Sequence, residues 1–312
     1  MQTVRLGRTN AIVSVAGLGC GGASRLGMAR GARAEDAARV VAAAIDLGVT
    51  FIDTARNYGT EEAVGLGVAA RRDQVFISTK SSAGRDERLL SGAELTESLE
   101  GSLERLKTDR VDLFNLHGVA PGQYEHCVRV LVPELKRQQA SGKIRFIGVT
   151  EMFGRDTAHQ MLERALPDDL FDVVMVGFNL LNPSARRRVF PETLKRDVGT
   201  LIMFAVRRNL SDPTALKAAI DGLIDRGEVD ATGLDRDDPL GFLRAETASG
   251  SLTEAAYRFC RHEPGANVIL TGTGSIEHLK ANLAAIEGPP LPAETHQRLD
   301  QLFGQVDSVS GN

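Results

Sequence analysis

The sequence predicts an α/β fold: a closed (β/α)8 barrel of the TIM type, with a short N-terminal β-hairpin and a C-terminal helix. Three observations carry this expectation. Short runs rich in Val, Ile and Phe alternate with helix-periodic segments along the whole chain. Strict alternation of that kind gives parallel strands joined by crossover helices. Eight such units fit within 312 residues, and no shift in composition marks a linker, so a single domain over residues 1–312 is expected. The competing arrangement, an open doubly wound sheet, needs a G-x-G-x-x-G turn. The stretch GLGCGG lacks that spacing, and no acidic residue follows a second strand in the right context.

The elements follow in order. VRLGRTNAIVSV reads as a hairpin turning at Arg8–Asn10. VAGLGCGG is a first strand that ends in glycines. Ala37, Val40, Val41, Ala44 and Leu47 recur at helical spacing until Gly48 stops them. VTFID is the second strand, with a helix over Glu61–Ala70 after it, and VFISTK is the third. Ser91 and Glu94 form a capping box ahead of Leu95, Leu99, Leu103 and Leu106. VDLFNLH, IRFIGVT, FDVVMV and GTLIMF are the next four strands, separated by helices at Glu125–Ala140, Asp156–Leu166 and Ser184–Arg196. A helix at Leu252–Arg261, the strand NVILTG and helices at Ile276–Ile286 and Ala293–Phe303 complete the chain. One segment breaks the rhythm. Residues 207–250 form a connection far longer than usual, with a helical piece at Ala215–Ile224 and the polar tract DRGEVDATGLDRDDP. It reads either as a surface excursion or as a flap over a site.

Bulk properties exclude several function classes. The composition is 42% hydrophobic and 25% charged, an ordinary globular balance. A net charge of −4, a pI near 5.9 and the lack of a basic run argue against nucleic acid or an anionic membrane as partner. The N-terminus has no basic-then-apolar leader pattern and no apolar run is long enough to span a bilayer, so a cytoplasmic protein is expected. Cys20, Cys127 and Cys260 lie far apart, without metal-ligand spacing, and read as free thiols in a reducing compartment. No metal site is expected.

Barrel geometry then draws attention to four residues. In this fold, chemistry sits at the C-terminal ends of the strands. Three consecutive strands end in a titratable residue: Asp53 after VTFI, Lys80 after VFIST and His117 after VDLFNL. Tyr58, one of three tyrosines, lies on the loop just past the second strand. Each has a plain structural reading: Asp53 as a helix cap, Lys80 as a solvated lysine, His117 as a core histidine. Together on one rim they suggest chemistry. Asp53 can hold the Lys80 ammonium beside the phenol. A cation about 4 Å from a phenolate is worth roughly 4 kcal/mol at an effective dielectric near 20, enough to bring a phenol from near 10 down to about 7. Such a phenol is a usable general acid. His117 can orient a carbonyl. Carbonyl reduction fits better than hydrolysis, because no nucleophile with an adjacent base is present. A metal hydrolase is disfavoured because Lys80 would repel the cation.

The stretches FIDTARNYG, STK, DLFNLHG, GKIRFIGVT and TGTGSIEHLKANL, in this order and spacing, resemble the aldo-keto reductase superfamily over essentially the whole length. The resemblance implies a (β/α)8 barrel and a tetrad of Asp53, Tyr58, Lys80 and His117, with Tyr58 as proton donor. It implies a nicotinamide cofactor, usually NADP(H), with NAD(H) possible, and a small carbonyl or alcohol substrate. It also places Gly21, Gly22 and Asp53 along the cofactor. Phe204 would stack on the nicotinamide, beside Ala205 and Arg207. Thr273, Gly274 and Ser275 would meet the adenosine side, where a turn opening a helix makes a natural phosphate cradle. Asn282 would reach the adenine. A cofactor-sensing subunit with slow turnover is the alternative.

The chain departs from the family pattern at several places. Thr150 and Glu151 stand where the family often has Ser-Asn, and Met175 where it has Gln, to grip the carboxamide. Gly272 and His278 replace the usual cation for a 2′-phosphate, which Arg207 or Arg208 would then have to supply. An ionised Glu151 beside the nicotinamide would stabilise the oxidised cofactor; the other reading turns it away toward Arg155 or Arg145.

Overall fold

Eight parallel strands close on themselves, each hydrogen-bonded to its sequence neighbours. They are β1 (Ala16–Gly19), β2 (Phe51–Asp53), β3 (Phe76–Ser82), β4 (Val111–Val119), β5 (Ile144–Glu151), β6 (Val173–Gly177), β7 (Gly199–Met203) and β8 (Val268–Thr271). β8 pairs with β1, and β5 with β6, to complete the barrel. The computed structural model describes residues 1–85 and 88–312.

The strand period of two builds two cores. Phe51, Phe76, Leu113, Val173, Met175, Leu201 and Val268 point into the barrel and fill it. Their neighbours Ile52, Ile77, Phe114 and Val174 point outward, beneath the helices. The predicted hairpin is present, Thr3–Arg5 against Ile12–Ser14, with its turn over Gly7–Thr9 and Asn10 in the left-handed region. It plugs the barrel floor, because Leu6 and Val13 join the inner cluster. Apolar filling below leaves the upper interior to polar residues.

The helices fall where periodicity places them, with local differences at their ends. The Ser91–Glu94 capping box is formed ahead of the helix Gly92–Leu106. The expected helix over Asp156–Leu166 is helical only at Gln160–Ala165, because the Asp156 carboxylate accepts from the N–H groups of Gln160 and Met161 and so marks the start. The expected helix Ser184–Arg196 is two pieces, Ala185–Arg188 and Phe190–Arg196, with Pro191 at the start of the second, where its missing N–H costs nothing. The C-terminal helix is Ala293–Phe303.

The long connection after β7 carries helices at Arg208–Ser211 and Pro213–Asp225 and a 3-10 turn at Gly241–Glu246. Leu216, Ile220, Leu223, Leu240 and Leu243 are buried in the outer core. The segment is thus anchored by its own apolar face, and its first residues lie near the barrel mouth.

Candidate active site

Strand alternation sets the site. Counting by twos from the inner-core residues, Phe51 leads to Asp53, Phe76 to Ser78 and Lys80, and Leu113 to Asn115 and His117. All of these side chains therefore face the upper interior. Lys80 Nζ lies 2.6 Å from Asp53 Oδ2 and donates to the Thr54 carbonyl at 2.8 Å. Ser78 Oγ donates to Asp53 Oδ1 at 2.8 Å, and Asn115 Nδ2 donates to Ser78 Oγ at 3.0 Å. The Lys80 side chain is fully buried and that of Asp53 nearly so. Burial alone would discharge the ammonium, but Asp53 and Tyr58 outweigh it and raise the Lys80 pKa.

Tyr58 closes the group from above. Its Oη is 3.3 Å from His117 Nε2, with the two rings edge to face, and Lys80 Nζ is 4.8 Å from the centre of its ring. The four residues that the strand ends suggested are thus brought together. Burial, followed by the charge of Lys80, drives the His117 pKa down to about 3, so the imidazole is neutral at physiological pH. The expectation of a lowered Tyr58 pKa is corrected. Burial raises it, and Lys80 offsets that rise only in part, because the ring has lost the water that would solvate a phenolate. Tyr58 is held as a neutral phenol.

Gly21 has a steric part in this arrangement. A Cβ there would lie 2.6–2.9 Å from ring atoms of Tyr58, so the ring rests directly on the glycine backbone. The neighbouring Gly22 has φ +69, the left-handed region. Its Cβ position lies 3.4 Å from Arg207 Nη1.

The expected cofactor residues divide into two groups. Phe204, half-buried with φ 67, stands at the mouth; Arg207 lies over its ring at 4.0 Å, and Phe153 meets it edge to face. Ala205 beside it is buried. Gly272 and Gly274 lie where a Cβ would meet backbone of Gly19 and Gly27 at 2.5–2.6 Å, which brings the β8 exit against the loop after β1. Thr273 Oγ1 accepts from the Ser275 N–H, and Ser275 Oγ accepts from the His278 N–H, capping the helix Ile276–Glu287. Asn282 Nδ2 donates to Thr271 Oγ1, which leaves its carbonyl oxygen for a ligand. A half-exposed aromatic ring and a hydroxyl-lined helix N-terminus suit a dinucleotide.

The carboxamide group of expectations fares differently. Glu151 has the parity of Ile147 and Val149, so it points out of the barrel, away from any nicotinamide. Its partner is neither Arg155 nor Arg145. Glu151 lies 2.9 Å from His159 Nδ1 and accepts from the Gly177 N–H at 2.7 Å; Arg145 instead pairs with Asp112. His159 Nε2 contacts Ser184 Oγ at 3.0 Å. Burial raises the Glu151 pKa against the pull of His159. Met175 sits in the inner core, and its thioether is at most a weak acceptor. Thr150 Oγ1 accepts from the Gly118 N–H. Glu151 therefore supports the wall from outside rather than gripping a carboxamide.

Sequence reasoning passed over Ser78, Asn115, Phe153 and His159. Ser78 and Asn115 were findable, each two residues before a tetrad member on the same face. His159 gave no such signal, because only the fold brings it to Glu151.

A buried lysine–aspartate pair under a neutral tyrosine and histidine, at the C-terminal mouth of a (β/α)8 barrel, defines an oxidoreductase-type site. Residues 18–303 match the model of the aldo/keto reductase family, and the chain belongs to that family. It is accordingly an enzyme, an NAD(P)H-dependent oxidoreductase acting on a small carbonyl or alcohol. The chain is 26% identical to an Arabidopsis thaliana protein named L-galactose dehydrogenase, over 98% of this chain and 95% of that one. It is 27% identical to the Bacillus subtilis aldo-keto reductase YhdN, over 84% of this chain and 82% of that one. Among solved structures, the holo form of a Bacillus halodurans aldo-keto reductase superposes with a TM-score of 0.75 over the full length of both chains; at 23% identity this speaks for the fold alone. A Klebsiella pneumoniae aldo/keto reductase, solved in complex with NADP and acetate, gives a TM-score of 0.65 at 25% identity, over 98% of this chain and 97% of that one. Among the described residues, no helix is long and apolar enough to cross a membrane.

Proposed function

We propose that this enzyme reduces an aldehyde or ketone to an alcohol, or runs the reverse oxidation on a sugar or other polyol, with Tyr58 as the proton donor. The observation that carries this reading is the 3.3 Å contact of Tyr58 Oη with His117 Nε2 directly above the Lys80–Asp53 pair. A carbonyl oxygen seated between the phenol and the imidazole receives two hydrogen bonds. As negative charge develops on that oxygen, Tyr58 transfers its proton. The fixed ammonium of Lys80 stabilises the phenolate left behind, which is where preorganised charge is worth most. Neutral His117 can donate a hydrogen bond without competing as the acid. A nicotinamide cofactor, once bound, would supply the hydride. Asp53 keeps Lys80 charged and in place, and Ser78 and Asn115 hold Asp53.

NADP(H) is the cofactor we favour, with NAD(H) usable. The support is the NADP in the Klebsiella relative and, in this chain, the turn Gly272–Ser275 opening a helix beside the barrel mouth. The reverse, sugar-oxidising direction draws on the name of the plant relative. We read residues 1–312 as one catalytic unit. The test is single-turnover oxidation of bound NADPH by a generic aldehyde, followed by its absorbance in the native enzyme and in Tyr58→Phe. Loss of the phenol should slow the step by about 10²–10⁴-fold. A Tyr58→Phe enzyme with near-native turnover on every carbonyl tried would remove Tyr58 from the reaction.

A further inference from the structure

Among the described residues, Arg207 is a cation without an anion. Its guanidinium lies 4.0 Å over the Phe204 ring and forms no ion pair or hydrogen bond with any described residue. Two other partly buried arginines, by contrast, are paired: Arg186 with Glu263 and Asp300, Arg188 with Glu163 and Asp307. A partly dehydrated charge without a partner is costly, and a ligand anion would offset that cost. Burial lowers the Arg207 pKa, and the groups that oppose this are phenols, Tyr58 and Tyr257.

The placement gives that missing anion an address. Gly21 and Gly22 are consecutive; the Tyr58 ring rests on the first, and Arg207 Nη1 reaches the second. The guanidinium therefore flanks the phenol that the catalytic reading makes the proton donor. The backbone that carries it is also held in advance. The Arg207 carbonyl accepts from the Leu210 N–H at 2.9 Å and Ser211 Oγ at 3.2 Å, and its Cβ packs beside Gly311 of the C-terminal tail, which itself accepts from the Asn209 N–H. A planar fork fixed at its base and backed by an aromatic face is suited to bidentate capture of a carboxylate. The other charge nearby does not serve, because the Lys80 ammonium is sealed under Tyr58 and bound to Asp53.

We propose that Arg207 anchors a carboxylate on the substrate, so that the preferred carbonyl compounds are aldehydic or keto acids, or the matching hydroxy acids in reverse. This goes beyond carbonyl reduction in general and rests on that reading for its catalytic arm. The cofactor diphosphate is the rival source of an anion. The position of Arg207 toward Tyr58 favours the substrate, and the hydroxyl-lined helix N-terminus at Thr273–Ser275 forms a separate segment suited to phosphate; because Gly22 and Phe204 also border the expected cofactor, the test has to separate the two sources.

A matched pair of probes tests this: 4-carboxybenzaldehyde against benzaldehyde for turnover, and benzoate against benzyl alcohol for binding by calorimetry. The native enzyme should favour the acid by about 10- to 100-fold in kcat/KM, the span of one charge-assisted bidentate contact. Arg207→Met should erase most of that ratio and the benzoate affinity, and Arg207→Lys should restore part of both. NADP⁺ affinity should stay within about threefold, since a diphosphate contact of this type would be worth more. An unchanged ratio in Arg207→Met overturns the proposal. So does a tenfold weaker NADP⁺ with benzoate affinity intact, which would assign the fork to the diphosphate. If the native enzyme reduces no aldehyde at all, the catalytic reading fails, and the benzoate titration still decides the anchor.

Discussion

Glu151 and His159 meet 2.9 Å apart on the outer side of the barrel wall, with both side chains cut off from solvent. The imidazole stacks on Phe153, Phe153 meets Phe204 edge to face, and Gly177 leaves room for the Phe153 ring. The carboxylate thus supports the mouth through two rings instead of touching a cofactor. Glu151→Ala should cost about 2–5 kcal/mol of stability, because it strands the Gly177 N–H and the imidazole. The affinities for oxidised and reduced cofactor should change by the same factor. Chemical denaturation with two cofactor titrations checks this; a selective loss of the oxidised form would place the charge beside the nicotinamide after all.

Lys80 lowers the Tyr58 pKa while burial raises it, and burial wins. The phenol should therefore remain protonated throughout the neutral range, with the alkaline limb of the reduction rate lying above the usual tyrosine value near 10. Lys80→Met removes the charge that favours phenolate, so the limb should move further up and the plateau rate should fall. A pH–rate profile for both proteins reads this. A limb near neutrality in the native enzyme would contradict the burial argument.

Burial, and then the charge of Lys80, pushes the His117 pKa down to about 3, below the value near 6.5 of a free imidazole. Between these two values the unfolded chain takes up a proton that the folded one refuses. The stability His117 contributes is therefore complete above pH 6.5 and declines as pH falls toward 3, by up to about 1.4 kcal/mol per pH unit. His117→Gln should flatten that part of the stability curve. Denaturation midpoints at pH 7, 5 and 4 compare the two, and equal slopes would show that the imidazole charges freely in the folded state.

Gly21→Ala is a steric test, because this glycine does not have a positive φ while its added methyl would collide with the Tyr58 ring. The fold should survive and the phenol should move. A displacement on the order of 1 Å can cost about 10²-fold in rate. Native activity in Gly21→Ala, with an unshifted melting temperature, would mean that the ring is not held by this contact.

His278 is exposed in the first turn of the helix Ile276–Glu287, and Gly272 has no side chain to offer a 2′-phosphate. Discrimination between NADPH and NADH should accordingly be weak. His278→Arg supplies a bidentate cation and should tighten NADPH by about tenfold or more while leaving NADH unchanged. Fluorescence titration with each cofactor measures it, and equal tightening of both would mean that residue 278 does not see the 2′ position.

Local pattern determined a great deal here. Alternating apolar runs and helical periods specify the element order, since an amphipathic segment has one way to bury its face and eight such units in series have few closures. Asp53, Lys80 and His117 were legible for the same reason: each lies at or within two residues of the end of a strand, and barrel strands end at one rim. Tertiary structure decided the rest. Parity within β5 turns Glu151 outward, and one residue of register reverses that choice. The pairing of His159 with Glu151, and of Arg207 with no carboxylate among the described residues, depends on loops from different strands arriving at one place. Burial then reverses the pKa that charge proximity alone would assign to Tyr58. Desolvation depends on everything packed around a group, and a linear sequence carries no measure of it until the chain has closed.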